Sequence, residues 1–168
     1  MRVLAICFVL VSQLTLSGVS QQSVSAGKRN EVVCTFDDGK QIKVEYNKSS
    51  AKREEELRKG KLWEPGGSPM FLFTQTALTL GSSQIPADAY SLYIIPEDQN
   101  WTLVVNKNVN AGNKYDEKQD LTRAPMQLGQ IDSPIKPAQV AFDHIAPKQC
   151  NMRLYYGSVG AWAEFREK

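Results

Sequence analysis

From Glu31 onward the chain alternates. Val32, Cys34 and Phe36 share one face, and Ile42, Val44 and Tyr46 share the equivalent face of the next run, with Lys43 and Glu45 opposite. A period of two is the spacing of a half-buried strand. Between the runs lies Asp37-Asp38-Gly39-Lys40, where Gly39 can supply the positive φ of a tight hairpin. Met70–Thr76 and Ala77–Leu80 are again strand-like, and Gly81-Ser82-Ser83 turns the chain. Ala89–Ile95 is apolar on both faces, which predicts a central strand. Trp101–Asn106 sets Trp101, Leu103 and Val105 against Thr102, Val104 and Asn106. Leu121–Leu128 reads as an edge strand, because Pro125 cannot donate to a ladder. Ile131–Pro137 reads as a loop. Val140–Ile145, Cys150–Tyr156 and Val159–Phe165 complete the set, the last two joined at Gly157-Ser158.

Two stretches depart from this pattern. Ala51–Lys59 is rich in helix formers, with Glu54–Arg58 and Glu55–Lys59 spaced i,i+4 and Gly60 as a stop. Leu57 is its one sizeable apolar residue, so it predicts a short solvated helix or a loop. Lys107 to Asp120 is a long polar loop. The whole predicts an all-β domain, an antiparallel sandwich or barrel of about nine to ten short strands with one short helix or polar loop.

The N-terminus is of another kind. Arg2 precedes the unbroken apolar run Val3–Val11, and Gly18-Val19-Ser20 offers small residues for cleavage. This is the layout of a secretory signal peptide, too short and too interrupted for a membrane span of about 20 apolar residues. The reading assigns 1–20 to a signal peptide, 21–30 to a flexible lead-in and 31–168 to a single domain. A second possible cut follows Ala26. The expected location is periplasmic or secreted, with no transmembrane segment after cleavage.

Export changes the meaning of the cysteines. Of three, Cys7 leaves with the signal peptide, and Cys34 and Cys150 remain. An even pair in an exported chain reads as one disulfide, closing a loop worth about 4–5 kcal/mol in the chain-entropy model. Two buried free thiols are the alternative. Twenty Lys and Arg against eighteen Asp and Glu give a net charge of +2, too balanced for a nucleic-acid binder. One histidine excludes a multi-histidine metal site, and three cysteines exclude a four-cysteine zinc cage. No motif implies a cofactor or a metal. His144 has no nucleophile at a recognisable spacing, and alternation sets it on the face of Val140 and Phe142.

Several segments together carry a resemblance. They are Gly60-Lys61-Leu62-Trp63, Ile85 to Pro96 (IPADAYSLYIIP), Trp101 to Lys107 (WTLVVNK), and Tyr115-Asp116 with Asp120 and Arg123. With Cys34-Thr35-Phe36-Asp37-Asp38-Gly39-Lys40 and Cys150-Asn151-Met152-Arg153-Leu154, the chain from about 31 to 165 resembles DUF2911, a domain of unknown function in exported bacterial proteins. That resemblance implies an exported β domain, with no established activity, and a cysteine pair like that of its relatives. After the tryptophan the family reads Arg-Thr-Gly-Ala-Asn-Glu, whereas this chain has Glu64-Pro65-Gly66-Gly67-Ser68-Pro69. A polar site on that loop would be lost or rebuilt here.

The candidate binding residues are Trp63, Glu64, Tyr115, Asp116 and Arg123. Trp63 sits in a Pro/Gly loop and is the better candidate among the tryptophans for a partly exposed aromatic; the reading preferred for it is a plug at the end of the core. Trp101 alternates with Leu103 and Val105 and reads as core. Trp63, Trp101 and Trp162 are together the aromatics available for stacking on a sugar. The expected function is a non-catalytic exported module that binds a small molecule, a glycan or a protein in the cell envelope. A hydrolase acting on envelope sugars or esters is the alternative, and a purely structural envelope protein is a third reading.

Overall fold

A computed structural model describes residues 29–47, 57–109, 112 and 114–168. The stretch read as a signal peptide, most of the expected lead-in and most of the stretch Ala51–Lys59, read as a short helix or loop, lie outside the described residues. Nine strands follow in chain order: β1 (Asn30–Thr35), β2 (Gln41–Tyr46), β3 (Met70–Thr74), β4 (Leu78–Leu80), β5 (Ser83–Ile85), β6 (Ala89–Ile95), β7 (Trp101–Asn106), β8 (Asp120–Ala146) and β9 (Gln149–Glu167). They form one antiparallel sheet in the order β1-β2-β3-β6-β7-β8-β9-β4-β5, and the sheet does not close. The helical content described is one 3-10 turn, Glu117–Gln119.

The β1–β2 hairpin forms where the alternation places it. Gly39 takes φ 87°, and Ile42, Val44 and Tyr46 are buried while Gln41 is exposed. Cys34 and Cys150 are joined in a disulfide, with Cα atoms 6.3 Å apart. It ties β1, at one edge of the sheet, to β9. The Asp37 amide donates to the Pro147 carbonyl at 3.0 Å beside it. The sheet therefore wraps round a core in which Ile42, Val44, Met70, Leu72, Leu92, Ile94, Leu103, Met152, Leu154 and Phe165 are fully buried.

Two expectations about strands are corrected. Leu121–Leu128, the supposed loop Ile131–Pro137 and Val140–Ile145 belong to the single long strand β8. Likewise Cys150–Tyr156 and Val159–Phe165 are one strand, β9, and no hairpin forms at Gly157-Ser158. The breakers are absorbed rather than obeyed. β8 slips register against β9 between Gln130 and Ile135 and again between Ile135 and Gln139, and Gly157 takes φ 57°. Bulges of this sort accommodate residues that cannot stay in the ladder.

β8 also changes neighbours along its length. From Asp120 to Met126 it pairs with β7, and from Gln127, opposite Trp162, it pairs with β9. Beyond Trp162, β9 leaves it and pairs with β4 from Phe165. Pro125, with no N–H to give, lies where β9 has already departed.

Candidate functional site

Trp63 turns into the core. It forms a two-residue bridge with Ile94, donating its amide to the Ile94 carbonyl at 2.6 Å and accepting the Ile94 amide at 3.0 Å. Its ring meets Trp101 edge-on at 6.0 Å and Tyr156 at 5.0 Å, and 6% of the residue is exposed. The buried ring is that of a plug at the end of the core, the preferred of the two readings of Trp63, and Trp101 is core as read. Gly66 explains why this loop can lie so close: a Cβ there would sit 2.1 Å from the Asn47 carbonyl oxygen, at φ +84°. Ser68, where the resemblance leads one to expect asparagine, accepts from Asn47 at 2.9 Å and Arg29 at 3.2 Å.

Antiparallel pairing puts the residue after Trp63 on the opposite face, beside Tyr93. Burial, and then the charge of Glu64, push the Tyr93 phenol above its ordinary pKa. Tyr93 continues across the sheet to Val104 and Arg123, which are its successive partners on β7 and β8. One row further, Ser91 pairs with Asn106, and Asn106 with Asp120. This is the outer face of the sheet, yet Ser91, Asn106 and Val104 are fully buried and Tyr93 nearly so. The cover is the polar loop before β8. Tyr115 folds back and packs edge-on against Tyr93 at 5.0 Å.

Polar groups fasten that loop. Asp120 accepts from Asn106 at 2.7 Å through one oxygen, and from Tyr115 at 2.7 Å and Arg123 at 2.8 Å through the other. Arg123 also donates to the Tyr115 hydroxyl and to Glu117, both at 2.8 Å. Asn106 donates to the Asp116 carbonyl at 2.9 Å, and the Asp116 side chain caps the 3-10 turn through the Lys118 amide. Burial and the bond to Asp120 push the Tyr115 phenol up to about 12. The bond to Asp120 raises the Arg123 guanidinium likewise. Tyr115, Asp116 and Arg123 are thus brought together, with Asp120 at their centre and Glu64 acting on Tyr93 next to them. Donors meet acceptors within the cluster, so it works as a clasp.

The described residues hold a different concavity where β8 and β9 part. A cleft of about 260 Å³ is lined by Thr79, Leu80, Gly81, Ala124, Pro125, Gln127, Trp162, Ala163, Glu164 and Arg166. Trp162 is partly exposed, unlike the other two tryptophans. Its indole N–H donates to Gln127 at 3.0 Å, and the Arg153 guanidinium lies 5.6 Å from its ring centre. Glu164 accepts from Gln149 at 2.7 Å and pairs with Arg166.

A family profile for proteins of unknown function, DUF2911, matches residues 28–164. The chain belongs to this family. No curated protein and no solved structure matches it significantly. Several of the segments that carry the DUF2911 resemblance meet in the clasp: Ser91 and Tyr93 from one, Asn106 from the next, and Tyr115, Asp120 and Arg123 from the third. Trp63 comes from a fourth and holds the opposite face of the same strands. In this DUF2911 chain the tryptophan loop is held at Gly66, which keeps the family's glycine, and at Ser68, which departs from its asparagine.

His144, on the face of Val140 and Phe142 in β8, is a rim residue. It is exposed, with Nε2 3.3 Å from an Asp37 oxygen, while Asp143 pairs with Arg153. The residue that sequence reasoning undervalued is Trp162. Its strand ends Ala161-Trp162-Ala163-Glu164-Phe165-Arg166, in which Ala161, Ala163 and Phe165 are buried. Trp162 therefore stands in register with Glu164 and Arg166, on the polar side. A tryptophan in the polar register of a strand is the signal that could have found it.

Proposed function

We propose that this chain is exported by residues 1–20 and serves, as the mature protein, as a non-catalytic domain that binds a small ligand outside the cytoplasm. The leader pattern supports export, and the disulfide fits an oxidising compartment. Among the described residues no helix is long and apolar enough to cross a membrane. The observation that carries the binding reading is the fork cleft, with a partly exposed tryptophan at its side and polar groups around it. Ligand sites are typically concave, with apolar walls and a few placed polar groups. The residues around Tyr115 are better suited to holding the sheet's outer face shut, since their hydrogen bonds close on one another.

The hydrolase reading draws less support. Glycoside hydrolysis needs two carboxyl groups across the scissile bond, and Glu164 is the one carboxylate among the residues lining the cleft. Its oxygens are engaged by Gln149 and Arg166.

Two measurements test the proposal. N-terminal sequencing of exported protein should begin at Gln21 or Gly27; Met1 on the exported chain would refute export. A thermal-shift screen of the exported protein against metabolites and glycans should give a ligand whose binding Trp162→Ala weakens. Ligands that bind with equal affinity in that variant would refute the cleft as the site.

A further inference from the structure

We propose that the fork cleft takes one neutral saccharide ring, its C–H face packed on Trp162 and its hydroxyls bonded to Gln127, Glu164, Arg166 and Thr79. This rests on the binding reading above and names the ligand class for that same site.

The indole is a prepared surface. Gly129 lies beneath it: a Cβ there would stand 3.2 Å from Trp162 Cζ3, closer than most side chains tolerate. Gln127 fixes the indole N–H, and Arg153, held by Asp143, stands over another part of the ring. A ring fixed on three sides loses little freedom when a ligand packs on it, which favours binding.

Charge decides the ligand class. Glu164 and Arg166 line the cleft as a pair and neutralise each other. An anionic ligand would face Glu164, and a cationic one would face Arg166. A wholly apolar ligand would cover the Gln127 amide and the Glu164 carboxylate without meeting their remaining capacity to donate and accept, at a cost in affinity. A pyranose meets each requirement: one face is apolar enough to pack on an aromatic ring, and its hydroxyls both donate and accept. The volume, about 260 Å³, lies just under the range of about 300–1,000 Å³ for pockets of drug-sized ligands. That is room for one ring. Another concavity, about 290 Å³ and lined by Asp37, Asp38, Lys40, Pro147, Lys148, Glu167 and Lys168, has no aromatic wall, and its Lys40 already bridges Asp38 and Glu167.

The test is a titration of the exported protein by calorimetry and intrinsic tryptophan fluorescence. The probes are the methyl glycosides of glucose, galactose, mannose and N-acetylglucosamine, methyl glucuronide, and a tetrasaccharide of whichever neutral sugar binds. At least one neutral glycoside should bind saturably and change the fluorescence. Its affinity should fall about tenfold or more in Trp162→Ala, the scale of a lost aromatic contact. Gly129→Ala keeps the tryptophan but displaces it, so it should weaken binding too; it serves if Trp162→Ala fails to fold. Equal affinity for monosaccharide and tetrasaccharide would assign a free sugar or chain end, and tighter tetrasaccharide binding an internal residue of a polymer. Binding of the glucuronide alone, or of a non-sugar metabolite that depends on Trp162, would overturn the saccharide assignment and leave the cleft as the binding site. Glycoside binding that is unchanged in both variants would overturn the site. Absence of any Trp162-dependent ligand would overturn both.

Discussion

Two polar, aromatic patches lie on the outside of the same sheet within a few residues of each other along β8, and they are built to opposite ends. At Asp120–Arg123 the aromatic residue Tyr93 is buried, and Tyr115 is packed edge-on against it. The surrounding donors and acceptors satisfy one another, with Asp120 receiving Asn106, Tyr115 and Arg123. At Ala124–Gln127 the strand loses β9, and the aromatic residue Trp162 stays partly open beside an amide, a hydroxyl and a neutralised ion pair. A closed network gives its bonding capacity to the fold, whereas an open one leaves part of it unspent. The presence of polar residues thus separates the two patches less well than where their hydrogen bonds go.

The comparison can be broken most severely through the frame that both patches share. The disulfide spans 116 residues of sequence. Replacing Cys34 and Cys150 by serine should cost about 5 kcal/mol in the chain-entropy model. Denaturant unfolding with and without a reductant measures it, and a loss below about 1 kcal/mol would mean that packing alone holds β1 to β9. Next comes the inner face under the clasp. Trp63 is buried against Trp101 and Tyr156, so Trp63→Ala should destabilise by about 3–5 kcal/mol. Unchanged stability in that variant would return Trp63 to the candidate binding residues.

The clasp itself should show a smaller effect. Asp120 is charged, its side chain 11% exposed, and Asp120→Ala strands Asn106, Tyr115 and Arg123 together. Bonds to charged groups are worth about 1.5–3 kcal/mol, so a loss of about 2 kcal/mol is expected. Hydrogen exchange should rise in the Tyr115 loop and at Ser91 and Asn106 while the fork stays protected. An Asp120→Ala protein as stable as the parent would mean that the network is ornamental to the fold.

Tyr115 supplies a pH test of the same network. Its phenol is raised from 10.0 to about 12 in the folded chain. The folded state then holds that proton more tightly than the unfolded state. The contribution is fully present below pH 10 and is lost as pH rises through about 12. Urea midpoints taken from about pH 8 to about pH 12 should fall more steeply for the parent than for Tyr115→Phe. Parallel curves would remove Tyr115 from the clasp's energetics.

How much of this could be read from the sequence depends on how local each feature is. The β1–β2 hairpin, β6 and β7 were legible because alternation and Gly39 are properties of short windows. β6 was even legible as apolar on both faces, though not that a polar loop would cover its outer one. The fused strands β8 and β9 were illegible, because Pro134, Pro137 and Gly157 read as stops when register slips can accommodate them. Tyr115, Asp116, Asp120 and Arg123 are legible as one group, but that the Asp120 carboxylate gathers Asn106, Tyr115 and Arg123 is a property of the fold. The cleft had no local signature beyond Trp162's polar register, since it arises where one strand exchanges partners.

The smallest expected change is also the one that most sharply separates the two patches. Trp162→Ala should leave stability nearly as it is. The residue lies on the outer side of β9, while Ala161, Ala163 and Phe165 carry the core contacts of that segment. What the substitution removes is one neutral hydrogen bond to Gln127, at a site where water can replace it, the packing over Gly129 and the contact with the Arg153 guanidinium, which Asp143 still holds. A loss of about 1 kcal/mol or less is expected, against about 2 kcal/mol for Asp120→Ala. The two variants should then part in the opposite sense on ligand. Asp120→Ala should bind as the parent does, and Trp162→Ala should not. Melting temperatures and titrations on both variants decide it. A Trp162→Ala protein that loses several kcal/mol would make Trp162 an outer pillar of the sheet, and the fork cleft would then belong with the clasp, as structure.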